Sequence, residues 1–184
     1  MASSPKFSHL PIERLLDGPR AIAAGVPEGF DALLLGELAR GAASRGAPIL
    51  HVARDGNRLA TLEEALGFFA PDVEVLSFSA WDGVPYDRVA PNAETIARRI
   101  ATLAALANRA PDTKKPLVVL TTINAAVQRV PPRDFISSSS LKLQPGNVIG
   151  MQELIGRLEI SGYVRAGTVT DPGQYAVRGG ILDL

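Results

Sequence analysis

The chain has 184 residues, 46% hydrophobic and 21% charged, with 19 basic and 19 acidic side chains and a formal net charge of zero. That balance suits one or two globular domains with real cores and excludes a wholly disordered chain. It lacks the basic excess with which proteins neutralise nucleic-acid phosphates, although a local patch stays open. Cysteine is absent, which excludes disulfides and thiolate metal sites, and His9 and His51 are too few and too far apart for a zinc site. The opening "MASSPKFSHL" lacks the apolar core of a signal peptide, and no apolar run is long enough to span a bilayer. The expectation is a soluble, cytoplasmic protein with no membrane partner.

In chain order, the first pattern is "AAGVPEGFDALLLGELAR". Asp31 reads as a helix N-cap, with Leu34, Leu35 and Leu38 along one stripe. Then come three short runs rich in β-branched or aromatic residues and apolar on both faces: Ala47–Ala53, Val73–Phe78 and Pro116–Thr122. Such strands suit a parallel sheet covered on both sides. Between them lie helical patterns, one carrying Leu59, Leu62, Leu66 and Phe69. The other is capped by Asn92 and carries Ile96, Ile100, Leu103 and Leu106. Alternation of this kind predicts an α/β layer fold.

Pro131-Pro132 and the serines Ser137–Ser140 break the pattern, and the serines read as a flexible connection. Beyond them, Leu141–Leu143 reads as a strand, Gln144–Asn147 as a turn with Asn147 capping a helix, and Val148, Met151, Leu154, Ile155 and Leu158 as one helix face. Gly162 suits the helix exit. The closing "QYAVRGGILDL" reads as a hairpin with Gly179-Gly180 as its two-residue loop. Arg178 then faces Ile181, Val177 faces Leu182, and Ala176 faces Asp183. One face, Tyr175, Val177, Leu182 and Leu184, is wholly apolar and packs on the helix. The other, Gln174, Ala176, Arg178, Ile181 and Asp183, is free. Arg178 has two readings on this face, a solvated ion pair with Asp183 or a partner-binding arginine. The whole is a small α+β unit with an antiparallel sheet.

Three stretches carry a family resemblance. "WDGVPYDRVAPNAETIARRIATLAAL", "VVLTTINAAVQRVPPRDF" and "GYVRAGTVTDPGQYAVRGGILDL" resemble the UvrB-like module of the bacterial transcription-repair coupling factors, from about Leu15 to Leu184. The resemblance implies a degenerate helicase-like, P-loop-type domain 1a over residues 1–130. It also implies a UvrA-binding domain 2 over residues 131–184, truncated at its C-terminus, so that the chain would be a fragment. It implies a non-catalytic role, recruiting UvrA in transcription-coupled nucleotide excision repair, through Arg165 in "GYVRAG" and Arg178 in "YAVRGG". Gln174 and Asp183 complete the expected partner-binding set. ATP, magnesium, RNA polymerase and duplex DNA would belong to motor and other domains further along the family's chain, leaving this stretch without a cofactor or a catalytic residue.

The residues themselves agree about the phosphate loop. Gly25 and Gly29 persist, but no Gly-Lys-Ser/Thr follows; Phe30 stands near the lysine position and Glu28 adds a charge of the wrong sign. Two rival functions stay open at this point, an active ATP-dependent DNA translocase or helicase lobe and a small-molecule α/β enzyme. For the latter, Asp82 and Asp87, beside Trp81 and Tyr86, are the carboxylates in view.

Overall fold

A computed structural model describes residues 12–82 and 91–184. The chain divides into two compact units, one running through Ala80 and including Arg109–Arg129, the other formed by Trp81–Asn108 and Val130–Leu184. His9, Tyr86 and Asp87 lie outside the described residues.

The first unit contains helices α1 (Ile12–Asp17) and α2 (Phe30–Ala43), strand β1 (Ile49–Ala53), helix α3 (Gly56–Phe69) and strands β2 (Glu74–Phe78) and β3 (Leu117–Thr122). The three strands are parallel in the order β1-β3-β2, with Ile49 opposite Val118 and Glu74 opposite Leu117. Every residue of the central β3 is buried, as its continuous apolar run requires. β1 is an edge strand, and its outer face is not covered: Leu50 is 63% exposed and Val52 45%. The expectation of a sheet covered on both sides fails there, because period-2 burial needs only one packed face at an edge.

α2 and α3 cover the packed face. Ala32, Leu35, Ala39, Leu59, Leu62, Leu66, Val118 and Leu120 form its core. The two helices approach closely because Gly36 has no side chain; a Cβ there would lie 2.8 Å from Ala70 Cβ. Asp55 caps α3 by accepting from Arg58 N at 2.8 Å. Phe69, expected in the stripe, is 40% exposed and instead meets the Phe68 ring edge-on at 5.0 Å. Asp31 is not the N-cap of α2; Gly29 occupies that position, at φ 92°, and Asp31 sits inside the first turn. Its Oδ1 accepts from Gly29 N at 3.1 Å and Ala32 N at 3.0 Å, so it still satisfies orphan donors of the helix start. Arg40 joins α2 to the turn before β2, with Nε donating to Asp72 Oδ2 at 2.9 Å and Nη2 to Oδ1 at 2.6 Å. A short helix α5 (Ile123–Ala126) follows β3 directly, in chain order after helix α4 (Ala93–Ala107) of the second unit.

In that second unit, α4 packs on α6 (Arg133–Ser139). Asn92 caps α4, its Oδ1 accepting from Glu94 N at 2.8 Å. The buried side of α4 is only partly the stripe expected from the sequence, since Ile96, Leu103 and Leu106 are half-buried but Ile100 turns out. Arg99 is 2% exposed and Thr102 5%, whereas Ile100 is 54% exposed. The Arg99 guanidinium lies 4.1 Å from the Trp81 ring centroid, a cation–π contact that turns this charged residue inward. The serine run is helical rather than a loose connection. Ser137, Ser138 and Ser140 donate to the carbonyls of Asp134, Phe135 and Ile136 at 3.2, 3.1 and 2.7 Å, which absorbs the polarity that otherwise favours loops.

Residues 141–143 form no strand, and Asn147 closes the turn by accepting from Gln144 N at 2.8 Å rather than capping a helix. The helix α7 spans Met151–Ile160, because Gly150 is extended (φ −67°, ψ 135°) and delays its start; Val148 is fully exposed. Gly162, at φ 87°, marks the helix exit as expected. Strands β4 (Val164–Arg165), β5 (Gln174–Arg178) and β6 (Ile181–Asp183) follow in the order β4-β5-β6. The sheet is mixed, not antiparallel: β4 runs parallel to β5, and only β5 and β6 are antiparallel. No helix of the described residues is long and apolar enough to cross a membrane.

Leu66 is completely buried beneath α2 and β3, so Leu66→Ala is expected to lower unfolding free energy by about 2–5 kcal/mol in urea titrations. The Arg40 guanidinium, by its hydrogen bonds, holds the Asp72 carboxyl below its ordinary value of 3.8. The pair therefore stabilises the fold above about pH 3.8, and that contribution disappears as pH falls through the depressed native value. Acid titration of Asp72→Asn should show a shallower loss of stability in this range, the difference amounting to at most about 1 kcal/mol for so exposed a pair.

Candidate partner-binding site

The small sheet carries all four of the expected partner-binding residues, and Tyr175 decides which way each faces. Its side chain is completely buried against Leu154 and Leu158 of α7, with Val177 and Leu182 packed alongside. Its hydroxyl donates to Glu159 Oε1 at 2.7 Å. That hydrogen bond, with burial, holds the phenol above its usual range. With Tyr175 and Val177 turned to the helix, Gln174, Ala176 and Arg178 must turn away, because successive strand residues alternate.

The hairpin register is the one the alternating pattern predicts. Arg178 is opposite Ile181, Val177 opposite Leu182, and Ala176 opposite Asp183. Gly179 takes φ 60°, and among the two loop glycines only it has positive φ, the pattern of a type II′ turn. Asp183 thus shares the face of Gln174 and Arg178. Arg165 does not. It is paired with Tyr175 across β4 and β5, so it belongs to the helix-side face, where it is exposed and its positive charge reaches the Tyr175 phenol. The structure brings together three of the four residues and leaves the fourth on the other face.

The outer face is not free, contrary to the sequence expectation. Ala176 is 1% exposed. Residues 166–173, the connection from β4 to β5, are tied to the residues on either side of it. Arg178 Nη2 donates to Gly167 O at 3.2 Å and to Thr168 Oγ1 at 2.9 Å. Gln174 Oε1 accepts from Thr170 N at 2.9 Å, Thr170 Oγ1 at 3.1 Å and Asp171 N at 3.3 Å. The connection is therefore a strap across the sheet, and this is why β4 ends up parallel to β5. Among the described residues no ion pair joins Arg178 to Asp183; the guanidinium, itself exposed, turns to the strap instead. Thr168, Thr170, Asp171 and Glu159 were not singled out by sequence reasoning. The only local hint is that "AGTVTDPG" is small and polar, as a connection lying on a surface must be.

The other sequence-derived candidates resolve differently. Both Asp82 oxygens accept from Asn92 N, at 3.1 and 3.2 Å, which draws Asp82 to the start of α4. The partner carboxylate considered with it, Asp87, is outside the described residues. At the carboxyl end of β1 a cleft of about 430 Å³ is lined by Val26, Glu28, Asp31, His51, Arg54 and Arg58. Gly25 and Gly29 both adopt positive φ there, at 70° and 92°. Arg58 Nη1 donates to Glu28 Oε1 at 2.9 Å and Nη2 pairs with Asp31 Oδ2. Burial pushes the His51 imidazole down. Where a phosphate-binding loop presents free amides to an anion, this loop has its own carboxylate on the amides of Gly29 and Ala32. Among the described residues no group of three or more His, Asp or Glu side chains is placed to hold a metal ion.

An α7–hairpin unit of this kind matches a known domain family. Residues 141–184 fit the family model described as the UvrB interaction domain. The similarity extends well beyond that unit. A transcription-repair-coupling factor of Rickettsia prowazekii is 33% identical over 136 residues, covering 74% of this chain and 12% of that protein. The corresponding protein of Escherichia coli is 29% identical over 137 residues, 74% of this chain and 11% of its own length. That of Mycobacterium bovis is 32% identical over 187 residues, 99% of this chain and 14% of its own. The chain belongs with the transcription-repair-coupling factors, and it spans roughly an eighth of the length of these relatives.

Replacing Tyr175 by Phe keeps the packed ring and removes only the bond to Glu159. Thermal or urea unfolding of Tyr175→Phe should show a small loss of stability, because the Glu159 acceptor is exposed and water can take its place.

Proposed function

We propose that the chain is a non-catalytic UvrA-recruiting module acting in transcription-coupled nucleotide excision repair. The observation that carries this reading is the match of residues 141–184 to the UvrB interaction domain, in a unit whose exposed arginines, Arg165 and Arg178, flank one short sheet. Arginine suits a docking surface because its planar fork pairs with carboxylates and stacks on aromatic rings. Domain 1a, over residues 1–130, is read as a helicase-like lobe that has lost its nucleotide site. Domain 2, over residues 131–184, is read as the docking unit. The self-satisfied carboxylates at Glu28 and Asp31 favour the loss of nucleotide binding over an active translocase lobe. ATP, magnesium, RNA polymerase and duplex DNA are assigned to other parts of the family's longer chains, and the work is placed in the cytoplasm.

Calorimetric titration of the chain against UvrA should give saturable binding. Replacing Arg165 and Arg178 by Ala should weaken it at least tenfold, since truncation of one interface anchor costs about 1–4 kcal/mol. Affinity unchanged by the double substitution would refute the site. Magnesium-ATP titrated in place of UvrA should give no saturable heat.

A further inference from the structure

Arg178 Nη2 is already engaged by its own chain. Nη2 donates both to Gly167 O at 3.2 Å and to Thr168 Oγ1 at 2.9 Å. A guanidinium grips a carboxylate with two bonds either side-on, through Nε and Nη2, or end-on, through Nη1 and Nη2. Both grips need Nη2. While the strap is fastened, any two-bonded grip on a partner's acidic residue must share Nη2 with Gly167 and Thr168.

The opposite end is fastened as firmly. Gln174 takes three donors from Thr170 and Asp171 on its Oε1, and its Nε2 donates to Asp171 Oδ2 at 3.3 Å. Between these two fastenings Ala176 is sealed from solvent. Thr168, Thr170, Asp171 and Pro172 remain exposed on the strap. They show hydroxyls, backbone carbonyls and one carboxylate, a surface rich in acceptors.

We propose that the strap, residues 166–173, is itself the surface presented to the partner, with Arg178 and Gln174 as positioning residues that hold it across the sheet. The proposal rests on the reading of this unit as UvrA-binding and deepens it. It makes the matching patch on UvrA a donor surface, of arginine, lysine or backbone N–H groups, rather than an acidic one. Pre-fastening the strap lowers the ordering entropy that association would otherwise cost. An arginine that acts in this way lowers affinity when truncated without touching the partner.

Thr168→Val separates the two roles, because it removes one acceptor of Arg178 and leaves the arginine in place; Thr168→Ser restores the hydroxyl. Gln174→Ala releases the other end. Affinity for UvrA is measured by calorimetry, and hydrogen exchange of the Thr170 and Asp171 amides is followed in the free chain. The expected result is a loss of about tenfold in affinity for Thr168→Val and for Gln174→Ala, near-wild-type binding for Thr168→Ser, and faster exchange of both amides in Gln174→Ala with the unfolding midpoint unchanged. Thr168→Val binding as tightly as the wild type, or tighter, while Arg178→Ala fails would overturn the proposal and make Arg178 a direct contact. A wild-type chain that does not bind UvrA would overturn the UvrA reading instead, and unchanged exchange in Gln174→Ala would overturn the fastening independently of any partner.

Discussion

The burial of Tyr175 between α7 and the hairpin is the constraint on which the small unit depends. An aromatic ring of this size removes a large apolar area from water, and its hydroxyl reaches the Glu159 carboxylate, so the ring brings its polar tip to a satisfied position. Once that residue is inward, strand alternation leaves no choice for its neighbours. Gln174, Ala176 and Arg178 face the other way, and Asp183 joins them through the antiparallel register. The parallel pairing of β4 then places Arg165 on the inward side, level with Tyr175. The distribution of the site residues over two faces follows from one packed ring.

Arginine serves three different ends in this molecule. Arg99 is almost completely buried and lies over an indole. Arg40 links a helix to a turn by a two-bonded carboxylate pair, and Arg58 draws two carboxylates onto the loop before α2. Arg178 bonds not to a carboxylate but to a carbonyl and a hydroxyl of its own strap. Sequence neighbours alone do not separate these uses, since each is set by groups more than ten residues away in at least one of its contacts.

The loop from Gly25 to Phe30 shows how a helix start can be satisfied by the chain's own carboxylate. Gly25 and Gly29 take positive φ, and a helix N-terminus follows. What a phosphate would supply, negative charge against the first amides of the helix, comes from Asp31, whose other oxygen pairs with Arg58. The charge requirement of the helix start is met internally.

Much of the architecture was legible because it is local. The period of apolar residues located β1, β2, β3, α2, α3 and α4, and the hairpin register followed from sorting "QYAVRGGILDL" into two faces about a double glycine. Asn92 and Gly162 declared themselves by residue type. The expectations that failed concern contacts between residues distant in the chain. The stripe of α4 placed Ile100 inward because periodicity counts apolar side chains, whereas Trp81 made the charged Arg99 the better one to bury. The serines of α6 read as a loop because nothing in their order announced that their hydroxyls would bond back to the preceding turn. The outer face of the hairpin read as free because β4 pairs with β5 in a direction that no hydrophobic pattern encodes, and the eight residues joining them bond to Gln174 and Arg178. By itself, then, the sequence determined most of the elements of the first unit, the hairpin register and the motifs in which Arg165 and Arg178 stand. Only the tertiary structure decided that Arg165 lies on the other face and what already occupies the outer one, because hydrogen bonds across a sheet depend on the path of the connection and not on the composition of the strands.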